Sequence, residues 1–195
     1  MYEHGKGGCM KLFGIVIVCL FMVVPKSSYA LNAYGVQIDG SVVVDGQALH
    51  LNGFGLRTKM FGKVYLGSLY LAKQTAKSAE VINDPGVKLV RINFLHKRVL
   101  KDKFVEALNG ALIRNSSSLA GNSDLQRLYA LFNKDFIHGE VLDISFSADG
   151  TVRVSRNNQV VGSVTSKNVQ TAVLKAFIGL SPIDEAVRAG MLGRL

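Results

Sequence analysis

Cysteine is nearly absent from this chain of 195 residues, and both copies, Cys9 and Cys19, lie close to the amino terminus. If residues 1–30 form a cleaved leader, the mature chain has no thiol. A structural disulfide, a zinc–thiolate site and a cysteine nucleophile are then excluded. Stability must come from a hydrophobic core, and residues 31–195 are long enough to build one as a single domain.

Sequence motifs typical of catalysis are also absent. The Gly-Phe-Gly sequence at residues 53–55 is too short to hold a phosphate, and no G-x-G-x-x-G or P-loop sequence occurs. His50, His96 and His138 do not have the spacing of metal ligands. The serines at 116–118 lack the strand–turn–helix context of a nucleophilic serine. We therefore predict no metal and no cofactor.

The first 30 residues have the pattern of a secretory signal peptide. Lys6 and Lys11 precede an apolar run over residues 12–24, and small residues follow at Ser28 and Ala30. The run is shorter than the about 20 apolar residues that a membrane-spanning helix needs. We predict cleavage after Ala30 and export across the inner membrane to the periplasm. The alternative is an uncleaved amino-terminal membrane anchor.

Acidic residues are few: 14 face 23 lysines and arginines, and the formal net charge is +9. The basic residues are scattered except at His96, Lys97, Arg98, Lys101 and Lys103, a pattern typical of a solvated loop and helix start. No aromatic residue is interleaved with them as a single-strand platform requires, and we predict no nucleic-acid partner. Attraction to an anionic membrane surface or an acidic small molecule stays open.

Periodicity and turn residues predict an α+β fold. Alternating apolar residues predict strands at 34–38, 41–45, 48–53, 56–71, 87–95, 141–147, 151–155 and 159–164. Apolar residues spaced three and four apart predict helices over 100–112, 125–132 and 169–177, with a short helix over 78–83 and a last one beginning at Ser181. This order, without regular βαβ alternation, favours one antiparallel sheet with helices on one face.

Particular residues define the boundaries of these elements. We expect the first two strands to turn at Asp39-Gly40, and Gly62 to interrupt the long strand over 56–71. Asp149-Gly150 is a strong hairpin signal. For the last helix, Ser181 would be the capping residue, followed by proline and, three residues after the cap, by an acid.

Arg57 is the candidate for ligand chemistry because it lies among apolar neighbours in a segment predicted to be extended. One interpretation is an edge arginine with its head in water. The other is a cationic anchor in an apolar cleft, suited to a carboxylate or phenolate. Tyr65 would share its face if the strand is regular, and Tyr70 would lie on the other face. Lys103 either reaches the cleft or is a solvated flank lysine.

Three blocks of sequence resemble the chalcone isomerase family, and more closely its bacterial chalcone-isomerase-like branch. They are GLRTK with KVYLGSLYL at residues 55–71, RINFLHKRVLKDKFVEAL at 91–108, and LKAFIGLSPIDEAVRAGMLG at 174–193. The resemblance implies an open-faced β-sandwich, in which a layer of helices backs a large antiparallel sheet. It also implies a ligand cleft between the two layers.

The resemblance further implies roles for individual residues. The family's arginine, which holds the reactive oxygen, falls on Arg57, and its pocket lysine falls on Lys103. Its two carbonyl-polarising positions, a threonine and a tyrosine, fall on Tyr65 and Leu100, and its pocket asparagine falls on Ala107. Since leucine cannot donate a hydrogen bond, we predict that true isomerase activity is lost.

The family's non-catalytic relatives bind fatty acids. The resemblance therefore implies a non-catalytic protein that binds an apolar ligand with an acidic end, such as a fatty acid, and this is the leading hypothesis. The ligand-binding residues would be Arg57, Tyr65, Lys103, Phe104 and Ala107, with Leu108 beside the tail. The alternative is an isomerase or cyclase of the intramolecular lyase type, in which Tyr65 polarises a phenolic or enone substrate. A third hypothesis is a scaffold with a collapsed cleft, where an internal carboxylate pairs with Arg57. The sequence predicts no oligomeric state.

Overall fold

The structure is a computed structural model that describes residues 1–2, 30–60 and 62–194. Most of the predicted leader, including both cysteines and the apolar run over 12–24, lies outside the described residues. The cleavage site and the boundary at residue 30 therefore stay predictions. No helix in the described ranges has the length and apolar character needed to cross a membrane.

Strands and helices alternate in blocks along the described chain. The strands are β1 Ala30–Ala33, β2 Val36–Asp39, β3 Ser41–Val44, β4 Gln47–Lys59, β5 Gly62–Leu71, β6 Lys88–Phe94, β7 Arg98–Val99, β8 Phe136–Ile137, β9 Val141–Phe146, β10 Thr151–Arg156 and β11 Gln159–Thr165. The helices are α1 Ser78–Asn83, α2 Lys101–Asn115, α3 Ser123–Ala130, α4 Lys167–Ile178 and α5 Glu185–Met191, with a 3₁₀ turn at Ser117–Leu119.

Seven strands form one antiparallel sheet in the order β11-β10-β9-β6-β5-β4-β3. Two small ribbons, β1–β2 and β7–β8, lie beside it. The helices pack on one face: α2 lies against α4, and α5 lies against β4 and β5. The predicted α+β class, an antiparallel sheet backed by helices, is confirmed.

The prediction of one long strand over residues 56–71 was wrong. The chain reverses at Met60, which has a positive φ of 50°, so that β4 and β5 form a hairpin. Both strands are rich in β-forming residues up to the turn, so alternation alone does not reveal the reversal. The consequence is that Arg57 and Tyr65 lie directly opposite each other on neighbouring strands, rather than eight residues apart along one strand.

Two further boundary predictions were wrong. The first hairpin turns at Tyr34-Gly35, where both residues have positive φ, and not at Asp39-Gly40, because β2 pairs with β1 while β3 pairs with β4. The last helix is capped by Asp184, whose carboxylate accepts from the backbone N–H groups of Ala186 and Val187.

Ser181 cannot cap that helix, because its backbone is tied to the end of α2. The Asn115 amide donates to the Ser181 carbonyl at 2.7 Å, and its oxygen accepts from the Ser181 N–H at 3.2 Å. One residue along, Arg114 donates to the Pro182 carbonyl at 3.2 Å, and the N–H of Ile183 donates to the Ala176 carbonyl in α4. Segment 181–183 is thus held as irregular chain by its bonds to α2 and α4.

The main core lies between the sheet and the helices. It is centred on an aromatic group in which Phe94 stacks on Phe136 at a centroid distance of 4.3 Å and Phe104 meets Phe132 edge-on at 5.3 Å. These rings come from β6, β8, α2 and the chain after α3. Because aromatic side chains bury the largest apolar area per residue, this group anchors α2 to the sheet.

The opposite face of the sheet is covered by the sheet itself. Its first strands curl over, and Leu49, Tyr70 and Leu89 form a second small core there. Arg91 joins the sheet to the first ribbon by bonding Asp143 on β9 and Asp39 on β2. The two sides of the sheet also come into contact, since Asp45 at the β3–β4 turn accepts a hydrogen bond from Arg153 on β10 at 2.7 Å.

The backbone of α5 touches the backbone of β4, and three glycines make this contact possible. A Cβ on Gly55 would lie 2.6 Å from both the Ala186 carbonyl oxygen and the Val187 Cα, a distance that real Cβ atoms do not show. Added Cβ atoms on Gly53 and Gly190 would also overlap with the facing backbone. The Gly-Phe-Gly sequence therefore has a packing role.

We expect Gly55→Ala to lower the free energy of unfolding by about 1–3 kcal/mol or more, because the added methyl would have to displace backbone atoms. Gly110→Ala in α2 is the matched control. Its Cβ would meet only the flexible end of Arg114, and alanine favours a helix interior by about 0.5–1 kcal/mol. Urea unfolding of both variants measures the difference. Equal effects would contradict the close helix–strand contact.

Tyr70, in the second small core, has a buried hydroxyl that should make stability depend on pH. Its Oη is buried without a hydrogen bond to any described residue, and burial, opposed by the nearby Arg91 charge, raises its pKa to about 12. An unfolded tyrosine titrates near pH 10. Between about pH 10 and 12 the unfolded chain therefore loses a proton that the folded chain keeps, and the free energy of unfolding falls as pH rises.

We expect Tyr70→Phe to be neutral or stabilising by up to about 1 kcal/mol at pH 7, because it removes an unsatisfied buried hydroxyl. The variant should also lose less stability than the wild type between pH 9 and 11. Urea midpoints across that range measure both effects, with the exposed Tyr34→Phe as the control. A clear loss of stability at pH 7 would indicate an unrecognised hydrogen bond.

Candidate functional site

A cleft of about 570 Å³ lies between the β4–β5 hairpin and α2. This volume is within the range of small-molecule sites in proteins. Its lining residues come from the three strands β4, β5 and β7, from α2 and from the loop before α5. They are Arg57, Lys59, Val64, Tyr65, Val99, Lys103, Phe104, Glu106, Ala107, Gly110, Arg114 and Ile183.

Arg57 is half-buried on the helix-facing side of β4, at the wall of the cleft. Its Nη1 donates to the Tyr65 hydroxyl over a long 3.4 Å, and its guanidinium lies 5.6 Å from the centroid of the same ring. Its Nε is buried and has no hydrogen-bond partner among the described residues. Within residues 30–60 and 62–194, no carboxylate forms an ion pair with it.

A second arginine on the same sheet shows what a neutralised guanidinium looks like here. Arg91, on the opposite face, makes two parallel bonds to Asp143 at 2.8 and 2.9 Å and a third to Asp39 at 2.9 Å. These bonds raise the pKa of Arg91, since the carboxylates favour its charged form. Arg57 has no such partners in the described chain, so its charge is available to a ligand.

Tyr65 completes the polar end of the cleft. Its side chain is 1% exposed, and burial raises the pKa of its hydroxyl above the ordinary value, although the Arg57 charge opposes this. It is therefore a neutral phenol at physiological pH. Its oxygen accepts from Arg57, and its own proton has no acceptor among the residues that the structure describes. Arg57 and Tyr65 can thus both donate to one anionic oxygen group.

The rest of the cleft combines apolar walls with a basic rim. Val64, Val99, Phe104, Ala107 and Ile183 supply the apolar surface. The rim carries three cations and one acid, which are Lys59, Lys103, Arg114 and Glu106. Counting Arg57, four positive charges face one negative charge. The cleft therefore suits a molecule that is mostly apolar and has one anionic end.

The residues predicted from sequence meet at this one cleft. Arg57, Tyr65, Lys103, Phe104 and Ala107 all line it. Their roles in binding stay predictions, because no ligand is present. Lys103 differs from the expectation in one respect: its side chain is 71% exposed and pairs with Glu106 at 2.7 Å, so its charge is largely compensated in solvent.

Two other predicted positions lie elsewhere. Leu108 is fully buried in the main core and does not line the cleft. Leu100, where the family resemblance places a tyrosine, is 47% exposed just before α2 and is also outside the lining. Leu100 therefore cannot replace the family's tyrosine, because its side chain has no hydrogen-bond donor and because it does not line the cleft.

Sequence reasoning missed several lining residues, although α2 contained a signal for some. Lys103, Ala107, Gly110 and Arg114 are spaced four, three and four apart, which places them on one face of a helix. That face borders the apolar stripe and could have been recognised as the cleft side. Ile183 could not have been found this way, because its position depends on the bonds that hold segment 181–183.

Across residues 1–2, 30–60 and 62–194, no group of three or more His, Cys, Asp or Glu side chains is arranged to hold a metal ion.

Comparisons with known proteins agree with this architecture. A family model described as chalcone isomerase-like matches residues 30–193. Among solved structures, a fatty-acid binding protein from Arabidopsis thaliana has a similar fold, with a TM-score of 0.68 at 18% sequence identity. The alignment covers 84% of this chain and 96% of that one. A search of curated proteins found no match. The open-faced fold expected from the sequence is confirmed.

Proposed function

The chain belongs to the chalcone isomerase-like family, and on that premise we propose that it binds an apolar molecule with an acidic end, such as a fatty acid. The observation that carries the proposal is Arg57, a half-buried cation at the wall of an apolar cleft without a described counter-ion. The fatty-acid binding activity named for the Arabidopsis relative supports the same ligand class.

The polar contacts would all be made at one end of the ligand. A carboxylate between Arg57 and Tyr65 would accept a charge-assisted bond from the guanidinium and a second bond from the phenol proton. The guanidinium would then gain a counter-ion without reorganisation, since β4 and β5 already hold both groups in register. Arg114 and Lys59, further along the wall, add attraction for negative charge.

The ligand tail would lie along α2, against the apolar walls. Val64, Val99, Ala107 and Ile183 supply this apolar lining, and the buried Phe104 connects it to the core. Burial of apolar surface contributes roughly 25 cal/mol per Å², so tail length should set affinity. At Ala107, where the resemblance places the family's asparagine, the small side chain keeps space open, and Gly110 adds no side chain to fill it.

Binding without catalysis is favoured by the missing donor. The family's enzymes need a group that stabilises a developing enolate oxygen, and the corresponding Leu100 lies outside the cleft lining. Loss of one preorganised donor costs about 10²–10³ in rate. The second candidate function is an isomerase or cyclase, and one observation favours it: the Tyr65 phenol has a proton free to donate within the cleft.

We expect Arg57→Ala to weaken fatty-acid binding by about 10- to 150-fold, since a hydrogen bond to a charged group contributes about 1.5–3 kcal/mol. Binding of the fatty alcohol of equal length should change less than threefold, because it carries no charge. Isothermal titration of both ligands against both proteins gives these four affinities. Lys73→Ala, which removes an exposed lysine outside the cleft lining, is the matched control and should have little effect.

The proposal is wrong if wild-type protein binds acid and alcohol equally, or if Arg57→Ala leaves acid affinity unchanged. Chalcones and related enones test the second candidate in the same preparations. Turnover that is lost in both Arg57→Ala and Tyr65→Phe would establish an enzyme, whereas ligand binding without turnover supports a binding protein.

We also propose that the protein is exported, on the basis of the signal-peptide pattern in residues 1–30. Expression in a Gram-negative host should then give a periplasmic product that begins at Leu31. Amino-terminal sequencing and mass spectrometry measure the cleavage position. A full-length product in the membrane fraction would instead support the alternative of an uncleaved anchor.

A further inference from the structure

One end of the sheet collects several loops that are distant in sequence. The strand register brings the β4–β5 turn, the end of β6 and the start of β9 together, since Tyr65 lies opposite Phe94 and Asn93 opposite Val141. The small β7–β8 ribbon and the start of α2 lie there too, because the Lys101 N–H donates to Asp135 at 3.0 Å. We call this part of the molecule the cleft end.

Exposed large apolar side chains concentrate at the cleft end. The most exposed is Met60 at the tip of the β4–β5 turn, whose side chain is 97% exposed. Others come from separate loops of the same end: Tyr34, Leu100, Ile137 and Val160. Apolar side chains so exposed lose nothing by leaving water, and they favour contact with an apolar phase.

Unpaired lysines surround these apolar side chains. Lys59 and Lys63 flank the Met60 turn, Lys97 follows β6, and Lys134 precedes β8, and none of the four has an ion-pair partner in the described chain. The Lys63 ammonium lies 5.1 Å from the Tyr34 ring centroid, so basic and apolar groups are in direct contact.

Acidic residues at the cleft end do not cancel this charge. Asp135 is paired with Arg98, Asp102 with Lys101, and Glu140 with Arg156. These pairs are neutral as units, so the four lysines leave the surface positive. An apolar tip within a positive ring is complementary to an anionic lipid bilayer, which offers negative head groups above an apolar interior.

The candidate ligand site reaches the same surface. Lys59 and Val99 belong both to the cleft lining and to the cleft end. We propose that the cleft end docks on anionic lipid bilayers, with Met60 inserted among the acyl chains and the lysines on the head groups. Docking would place the cleft beside the bilayer, into which long-chain acids partition. A role in taking up such acids rests on the proposed function, whereas the docking itself does not.

A bilayer fits these features better than a nucleic acid does. Nucleic-acid surfaces match charge with hydrogen-bonding and stacking groups, and an aliphatic side chain as exposed as Met60 has no partner on a phosphate backbone. The charge also lies at one end and not in a groove. Duplex DNA therefore enters the experiment as a competitor.

Cosedimentation of the purified protein with vesicles tests the proposal. Binding to vesicles of phosphatidylcholine with phosphatidylglycerol should exceed binding to pure phosphatidylcholine vesicles, and it should weaken as salt screens the charges. Lys63→Gln/Lys97→Gln should weaken it on the order of tenfold. The matched control is Lys73→Gln/Lys167→Gln, which removes two exposed lysines after β5 and at the start of α4, at the opposite end of the sheet. All variants are made with the same amino-terminal residues, so that differences in vesicle binding come from the substitutions.

Met60→Ser tests the apolar contribution and should weaken vesicle binding roughly threefold or more, since it removes an inserted thioether chain. Leu180→Ser is the matched control, because Leu180 is 88% exposed and lies past α4, beside the far end of α2. Equal effects of the two variants, or of the two lysine pairs, would overturn docking by the cleft end. So would absence of vesicle binding, or its displacement by duplex DNA at equal charge.

The same proteins separate this inference from the proposed function. In the proposed scheme, fatty-acid affinity measured without vesicles depends on Arg57 and the other residues that line the cleft. Vesicle binding depends on Met60 and on the lysines of the cleft end. Vesicle binding that survives Arg57→Ala but is lost in Lys63→Gln/Lys97→Gln supports docking even if no acid binds. Acid binding without any vesicle binding refutes docking and leaves the proposed function intact.

Discussion

The direct backbone contact between α5 and β4 is the constraint on which the site depends. Gly53 and Gly55 remove the side chains that would separate the helix from the strand, and Gly190 does the same from the helix side. The contact fixes the hairpin that carries Arg57 and Tyr65. It also fixes the segment before α5, so that Ile183 closes one side of the cleft. Side chains in place of these glycines would hold the helix further from the strand, because their Cβ atoms would overlap with the facing backbone.

Two arginines on one sheet illustrate how the same side chain serves structure and function. Arg91 holds the curled sheet to its amino-terminal ribbon, and two carboxylates neutralise it. Arg57 has only the face and hydroxyl of Tyr65 in the described chain. A partly desolvated charge without a counter-ion costs stability, and such a cost is typical of a group kept for a ligand. The contrast explains why the proposed function rests on Arg57.

The cleft and the cleft end are adjacent, and this connects the proposed binding of an apolar acid with the proposed docking on a bilayer. An apolar acid needs a cationic anchor, an apolar channel and a route from the phase in which it dissolves. In the two proposals, Arg57 and α2 would provide the first two. The cleft end, with Met60 and its lysines, borders the same cleft, since Lys59 and Val99 belong to both. The excess of basic residues, scattered in the sequence, becomes directional in the fold because acidic residues at this end are already paired.

The family resemblance pointed to Ala107. Local patterns in the sequence determined the class of fold, most helices and strands, and the choice of Arg57, Tyr65, Lys103 and Phe104. These depend on periodicity and residue chemistry within a few positions. Only the tertiary structure decided that residues 56–71 form a hairpin, that Gly53 and Gly55 serve packing, and that Leu108 lies in the core. Pairing register and close backbone contact join residues far apart in the chain, and no local pattern encodes which distant segment they will meet.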